Sequence, residues 1–146
     1  MPSLYDQLIT ARAVAYARLH AFEKEGTALL GSLLSALRAH MGCTEKELHT
    51  LAMSADDARE LGGTLTSPGF ALGHEGLFAI FVLEFGKGDR ARLRCTVRPE
   101  KGGFSVTTGN HTMTMASGDN AAISSWCSIA FKRFLEVATE TQPMRI

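Results

Sequence analysis

The stretch LFAIFVLEFGKGDRARLRCTV, residues 77–97, contains the pattern that decides the fold. A run rich in aromatic and branched residues precedes a glycine-containing turn, and alternating apolar and charged residues follow it, which is typical of two antiparallel strands. A three-residue turn over Gly86–Gly88, with Gly88 in the left-handed conformation, is a common connection of this kind. It predicts the cross-strand pairs Phe85–Asp89, Leu83–Ala91, Phe81–Leu93 and Ala79–Cys95. A two-residue turn would instead place arginines beside Phe81, Leu83 and Phe85. Each large apolar side chain kept out of the core would forfeit roughly 1.5–3 kcal/mol of burial free energy.

A second hairpin independently predicts that one face of the sheet is apolar. Gly109-Asn110 is a two-residue hairpin signal, and it predicts the pairs Val106–Met113, Phe104–Met115, Thr107–Thr112 and Ser105–Thr114. Because side chains alternate across a strand, the two hairpins together define an inner, apolar face and an outer, more polar face. The predicted inner face comprises Phe81, Leu83, Phe85, Leu93, Cys95, Val97, Phe104, Val106, Met113 and Met115.

A long helix precedes the strands. Ser3 and Asp6 form a helix-start signature, and an in-phase apolar stripe predicts one helix from about residue 4 to about residue 41. Such a helix is roughly 57 Å long, whereas a compact domain of this size is roughly 40 Å across. The helix is therefore expected to overhang the body, to kink at a glycine, or to pack against a second copy of itself, and an overhang predicts a dimer.

Three further segments complete the predicted elements. Capping signals at Thr44 and Glu47 predict a second, acidic helix through Leu61, and Ser54 with Asp57 offers a restart within it. A short edge strand over 64–66 follows, ahead of Pro68. The last helix is predicted from Asp119 or Asn120 to about Thr141, ended by Pro143.

These elements predict the α+β class: a long N-terminal helix, a short second helix, a four- to five-stranded antiparallel meander, and a C-terminal helix packed on one sheet face. The chain of 146 residues is predicted to form a single domain over 1–146. Its formal net charge is zero, which argues against a general affinity for nucleic acid or an anionic membrane. The three unpatterned cysteines and the absence of a signal-like N-terminus predict a cytoplasmic protein that is not in a membrane.

The outer face carries the predicted partner-binding residues, which combine apolar and cationic side chains. They are Phe78, Ile80, Val82, Arg90, Arg92, Arg94 and Arg98. A strand that is apolar on both sides is usually covered on both sides, so the acidic second helix, a partner copy or a ligand protein is expected to lie over Phe78, Ile80 and Val82. The second helix is an attractive cover because its net negative charge would meet the arginines. The arginines suit capture of carboxylate or phosphate, and the alternative is a solvated face that resists edge pairing.

No catalytic residue, cofactor or metal is predicted. Gly86-Lys87-Gly88 lacks the spacing and the following helix of a phosphate loop, and His74-Glu75 lacks the second histidine of a zincin. His40, Cys43 and His49 offer zinc-type ligands without an evident fourth. Cys127 lies near the start of the last helix, where the helix dipole would lower the pKa of a thiol, and His111 is a candidate base.

The sequence therefore leads to a non-catalytic cytoplasmic binding or adaptor protein. The predicted protein is a homodimer that engages a protein partner, possibly an acidic one, through the outer face. The layout is similar to that of small bacterial secretion chaperones and immunity proteins, an analogy of architecture alone. The alternative is a small thiol-dependent enzyme or redox protein using Cys127 with His111. Nucleic-acid binding along the arginines is a third hypothesis, which the shortage of aromatic residues on that face disfavours.

Overall fold

The computed structural model describes residues 2–116 and 118–140, and it confirms the α+β class. The helices are α1 (Leu4–Met41), α2 (Ala55–Glu60) and α3 (Asn120–Thr139). The strands are β1 (Leu48–Thr50), β2 (Gly63–Ser67), β3 (Phe70–Gly73), β4 (Gly76–Gly86), β5 (Asp89–Glu100), β6 (Gly103–Thr108) and β7 (His111–Met115). The described part of the chain thus has seven strands, more than the four to five predicted. The predicted end of the last helix, at Thr141 and Pro143, lies outside the described residues.

The sheet is antiparallel and runs in the order β2-β3-β4-β5-β6-β7, with β1 added to β4. β5 pairs along nearly the whole of β4, so β1 and β3 share the opposite edge of that strand. β3 pairs with β4 around Phe78, and β1 pairs with it around Val82. The long central strand is therefore hydrogen-bonded on both edges.

The predicted registers of both hairpins are confirmed, except at the tip of the first. Ala79 pairs with Cys95 and Phe81 with Leu93, but Gly86 rather than Phe85 pairs with Asp89. The turn has two residues with positive φ, Lys87 at 52° and Gly88 at 80°, which is the backbone of a type I′ turn. The turn therefore has two residues, Lys87 and Gly88, instead of the three predicted. A β-bulge between Glu84 and Gly86 accommodates the one extra residue of β4, so the pairs beyond it keep the predicted register. Phe85, predicted on the inner face, is consequently 40% exposed.

The segment before α2 folds differently from the prediction. The predicted helix from Thr44 is wrong: residues 44–47 form a turn in which the Thr44 N–H donates to Glu47 Oε1 (2.9 Å), and β1 follows directly. The helix begins only at the second signal, where Ser54 and Asp57 form a capping box. β1 forms because the open edge of β4 offers hydrogen-bonding partners to its backbone, and that tertiary pairing outweighs local helical preference.

The core lies between the inner face of the sheet and the two long helices. The second half of α1 buries Gly26, Leu29, Leu30, Leu33, Leu34 and Leu37. α3 contributes Trp126, whose ring meets Phe81 edge-on at 6.1 Å and whose Nε1–H donates to Thr108 Oγ1 at 2.7 Å. The predicted packing of the C-terminal helix on one sheet face is confirmed.

The first half of α1 extends beyond this core. Residues 4–21 are exposed without exception, although they belong to the same continuous helix of 38 residues. The predicted capping box of Ser3 and Asp6 begins the helix, and Gly42, at φ 69°, ends it. The overhang expected from the length of the helix is therefore present.

Candidate functional site

The candidate site is the outer face of the sheet, which is the side opposite α1 and α3. One end of this face is covered by the chain itself. Phe78 lies in a small second core with Met53, Ala58 and Ala71, and none of these four side chains is more than 8% exposed. The segment from β1 through α2 therefore supplies the cover that an apolar outer face requires. Phe78 is not available to a partner on this surface.

Ile80 and Val82 are also buried, at 6% and 0% exposure. The sheet register sets Arg94 beside Ile80, and it places Arg92 and His49 on either side of Val82. Directly opposed side chains on one face lie close enough to touch, and arginine stems cover apolar surface while their charged ends stay in water. A partner docking on this face meets arginine before it meets these two apolar residues.

Arg94 holds the cover in place. Its guanidinium lies 3.8 Å from the centre of the Phe78 ring, and its NH1 group donates to the carbonyl oxygen of Leu61 at 3.3 Å. Leu61 is the residue that ends α2. One side chain thus joins β5 to the segment that crosses the outer face, through a cation–π contact and a hydrogen bond.

The acidic residues of α2 do not form ion pairs with the arginine row within the described residues, contrary to the charge match expected from the sequence. Asp56 pairs with Arg59 of its own helix at 3.4 Å. Asp57 accepts the backbone N–H of Ser54, and this bond, with that from the Ser54 hydroxyl, lowers the pKa of its carboxyl group. Local capping occupies Asp57, so the contact of α2 with the arginines runs through a backbone carbonyl instead.

Arg90 is neutralised at the far end of the face. Its NH2 group lies 3.3 Å from Glu84 Oε1, and the same oxygen lies 3.2 Å from His49 Nε2. The register brings Glu84 opposite Arg90, and β1 brings His49 to the neighbouring position. This polar cluster closes the edge of the covered region.

Among the four outer-face arginines of β5, Arg92 and Arg98 have no internal partner within the described residues. Both are exposed, and neither forms an ion pair or a side-chain hydrogen bond within the part of the chain that the structure describes. They lie six residues apart on β5, roughly 20 Å along the strand.

Hydroxyl side chains extend the open part of the face beyond these arginines. Arg98 lies opposite Ser105 on β6, and Ser105 lies opposite Thr114 on β7. Thr107 and Thr112 form a second pair, with their oxygens 3.0 Å apart. The sequence had placed these residues on the polar side of the hairpin, but not beside the arginines. Glu100 of β5 lies on the same face and accepts a hydrogen bond from Thr114 Oγ1 at 3.4 Å. Together these residues make a surface of two cations, several hydroxyls and one carboxylate over β5, β6 and β7.

The thiols lack the environment of a nucleophile. Cys127 is 2% exposed, and burial raises the pKa of its thiol, opposite to the effect expected from the helix dipole. It lies two turns inside α3, and the dipole acts mainly within the first turn. Burial likewise raises the pKa of Cys95, to about 12. His111 lines a cavity of about 310 Å³ with Lys132 and Arg133, and Cys127 does not line it.

Over residues 2–116 and 118–140, no group of three or more His, Cys, Asp or Glu side chains is arranged to hold a metal ion. Within the same ranges, no helix is both long enough and apolar enough to cross a membrane.

Comparisons with known proteins identify no relative. No family model, curated protein or solved structure matches this chain.

Proposed function

We propose that this protein is a non-catalytic cytoplasmic binding or adaptor protein that holds an acidic segment of a partner protein on its outer sheet face. The observation that carries the proposal is the difference among the four arginines of β5. Arg90 and Arg94 are used internally, whereas Arg92 and Arg98 are exposed without an anionic partner among the described residues. Arginine recognises carboxylate groups through paired N–H donors, so an extended acidic segment suits this surface.

The neighbouring hydroxyl groups support the same occupant. Serine and threonine both donate and accept hydrogen bonds. Thr107 and Thr112 bond each other and Thr114 donates to Glu100, but each hydroxyl oxygen keeps capacity to accept a bond, and Ser105 lies directly opposite Arg98. The outer face offers no row of exposed aromatic side chains on which nucleic-acid bases would stack, since its Phe78 is buried. The three free cysteines support a reducing compartment.

The test is binding of a fluorescent glutamate-rich peptide, measured by anisotropy. The double variant Arg92→Glu/Arg98→Glu should weaken binding at least tenfold, because attraction at two positions becomes repulsion. Lys24→Glu/Lys132→Glu is the matched control, since it changes the net charge equally with exposed residues on α1 and α3. Its affinity should remain within about twofold of the unmodified protein.

Two outcomes would contradict the proposal. The first is equal loss of binding in both double variants, which would indicate a response to net charge alone. The second is tighter binding of a single-stranded oligonucleotide of equal charge, with affinity that falls steeply as salt is added. That result would favour nucleic acid as the ligand of the arginines.

A further inference from the structure

The projecting half of α1, residues 4–21, presents an uncovered apolar surface. Its large apolar side chains are among the most exposed in the described chain, from 78% for Leu4 and 69% for Leu8 to 38% for Leu19. Tyr5, Ile9 and Tyr16 are also at least 49% exposed. Contiguous exposed apolar area of this kind marks an interaction surface.

The exposed stripe continues the buried one. Leu4, Leu8, Ala15, Leu19 and Phe22 recur at helical spacing, and the series runs in phase into the buried positions of the second half of α1. The same face of one helix is therefore packed on the sheet along its second half and left open along its first half. The open half lacks an apolar cover from residues 2–116 and 118–140 of its own chain.

We infer that this surface is an antiparallel interface with a second copy of the chain, in which the projecting halves of two α1 helices pack against each other. The direction follows from where the body lies. Each body lies on the stripe side of its own α1. In a parallel pair that met through the stripes, the two bodies would therefore have to occupy the same volume. In an antiparallel pair, each body lies beyond the tip of the partner helix, and the two do not collide.

The pattern of the stripe suits pairing with itself. The positions Leu8, Ala11, Ala15, Leu19 and Phe22 are spaced symmetrically about Ala15. An antiparallel pair centred there places Leu8 against Phe22 and Ala11 against Leu19 of the second copy. Ala15 then faces its own equivalent, where two small side chains allow the helices to approach closely. Alternating large and small side chains is the arrangement by which helices interlock.

The body offers a place for the tip of the second helix. Phe22 lies 6.4 Å, ring centre to ring centre, from Phe104, where α1 leaves the sheet. A notch of about 500 Å³ opens there between α1, at Arg18 and Phe22, and the end of β5 at Pro99 with the following connection at Gly102. In the antiparallel pair, Leu4 of each copy reaches this notch.

The large side chains of the stripe supply part of the area of a specific dimer. With roughly 200 Å² for each large side chain, the exposed fractions of Leu4, Leu8 and Leu19 amount to roughly 370 Å² in each copy. Specific, stable complexes bury ~1,200–2,000 Å² in total, so the flanking side chains and the contact of each helix tip with the body of the other copy must supply the rest.

The charges on this helix favour a second copy over a membrane surface. The projecting half, residues 4–21, carries one net positive charge, from Arg12 and Arg18 against Asp6, and the next turn adds Glu23, Lys24 and Glu25, so residues 4–25 are neutral overall. Helices that lie on anionic lipid carry an excess of basic residues on the polar face. A neutral, self-complementary stripe is suited to its own copy.

The first test is the mass of the protein in solution, by sedimentation equilibrium. The unmodified protein should be a dimer at micromolar concentration, and Leu8→Ser/Leu19→Ser should be monomeric. Val14→Ser, a change on another side of the same helix at a residue that is 44% exposed, should remain dimeric. Fluorescence of the buried Trp126 should be unchanged in every variant, which shows that the body remains folded.

The second test is the direction of the helices, by cysteine crosslinking in a Cys43→Ser background. Under mild oxidation Ala15→Cys should form a covalent dimer, because the two positions face each other. Leu8→Cys should not, since two copies of residue 8 are roughly 21 Å apart in the antiparallel pair. Efficient crosslinking at Leu8→Cys would overturn the antiparallel direction. A monomeric unmodified protein, whether free or attached to lipid vesicles, would overturn the interface itself.

Discussion

Arg94 should contribute more to stability than its neighbour Arg92, although both are exposed arginines on the same face of β5. Arg94→Met removes a cation–π contact with Phe78 and a hydrogen bond to Leu61 while keeping an apolar stem of similar length. An exposed cation–π contact contributes about 0.5–1 kcal/mol, and a hydrogen bond contributes about 0.5–1.5 kcal/mol. We therefore expect the free energy of unfolding to fall by about 1–2 kcal/mol. Arg92→Met should change it by less than about 0.5 kcal/mol.

The assay is urea unfolding followed by the fluorescence of Trp126, the one tryptophan of the chain, at a fixed protomer concentration. A double-mutant cycle with Phe78→Leu isolates the stacking contribution, and a coupling free energy of about 0.5–1 kcal/mol is expected. Equal effects of Arg94→Met and Arg92→Met, together with zero coupling to Phe78, would refute the role assigned to Arg94.

Three further predictions concern the interior. Thr108→Val leaves the buried Nε1–H of Trp126 without its acceptor and should lower the free energy of unfolding by about 1–3 kcal/mol in the same urea assay. Thr64→Val, at an exposed threonine of β2 whose hydroxyl forms no hydrogen bond within the described residues, should cost less than about 0.5 kcal/mol, and an equal loss in both variants would contradict the role of the Trp126 bond. Burial raises the pKa of Cys95 from 9.0 to about 12, so the native state keeps this proton longer than the unfolded state. Stability should therefore fall by up to about 1.4 kcal/mol per pH unit between these pKa values, and Cys95→Ala should reduce that slope in urea titrations at pH 8 to 10. A thiol reagent at neutral pH should label half-buried Cys43 in the native protein but Cys127 only on unfolding, whereas rapid native labelling of Cys127 would support a thiol-dependent activity.

The stability experiments also affect how the binding experiment is designed. Reversal of charge at Arg94 removes a contact that holds α2 over the sheet, so lost binding would be confounded with local rearrangement. Arg92 and Arg98 are free of this complication among the described contacts. The loss of peptide binding in their double variant should therefore occur without a measurable change in the urea midpoint.

Much of the fold was predictable because its signals are local. The capping boxes at Ser3 and Ser54 depend on residues three apart, and both begin helices. The register of the long hairpin was predictable because a slip of one residue would expose Phe81 and Leu83 together. The tip of that hairpin was not, since Phe85 can be moved out by a bulge without disturbing the pairs beyond it.

The candidate site was predictable only in part. Alternation along β5 placed the arginines on one face, but it made them equivalent, and their different roles depend on contacts distant in sequence. Arg94 meets Leu61 across 33 positions of the chain, and Glu84 meets His49 across 35. β1 was read as helix for the same reason, because the strand exists only through its pairing with β4.

The sequence by itself determined which residues alternate, where helices begin, and that α1 is longer than the body it packs on. Those properties follow from steric and hydrogen-bonding rules that act over a few residues. The tertiary structure alone decided that β1 and α2 cover Phe78, that two arginines are consumed internally, and that one half of the apolar stripe of α1 stays open. Burial and pairing across the chain are set by which surfaces meet when the whole chain is packed, and a local pattern does not specify that meeting.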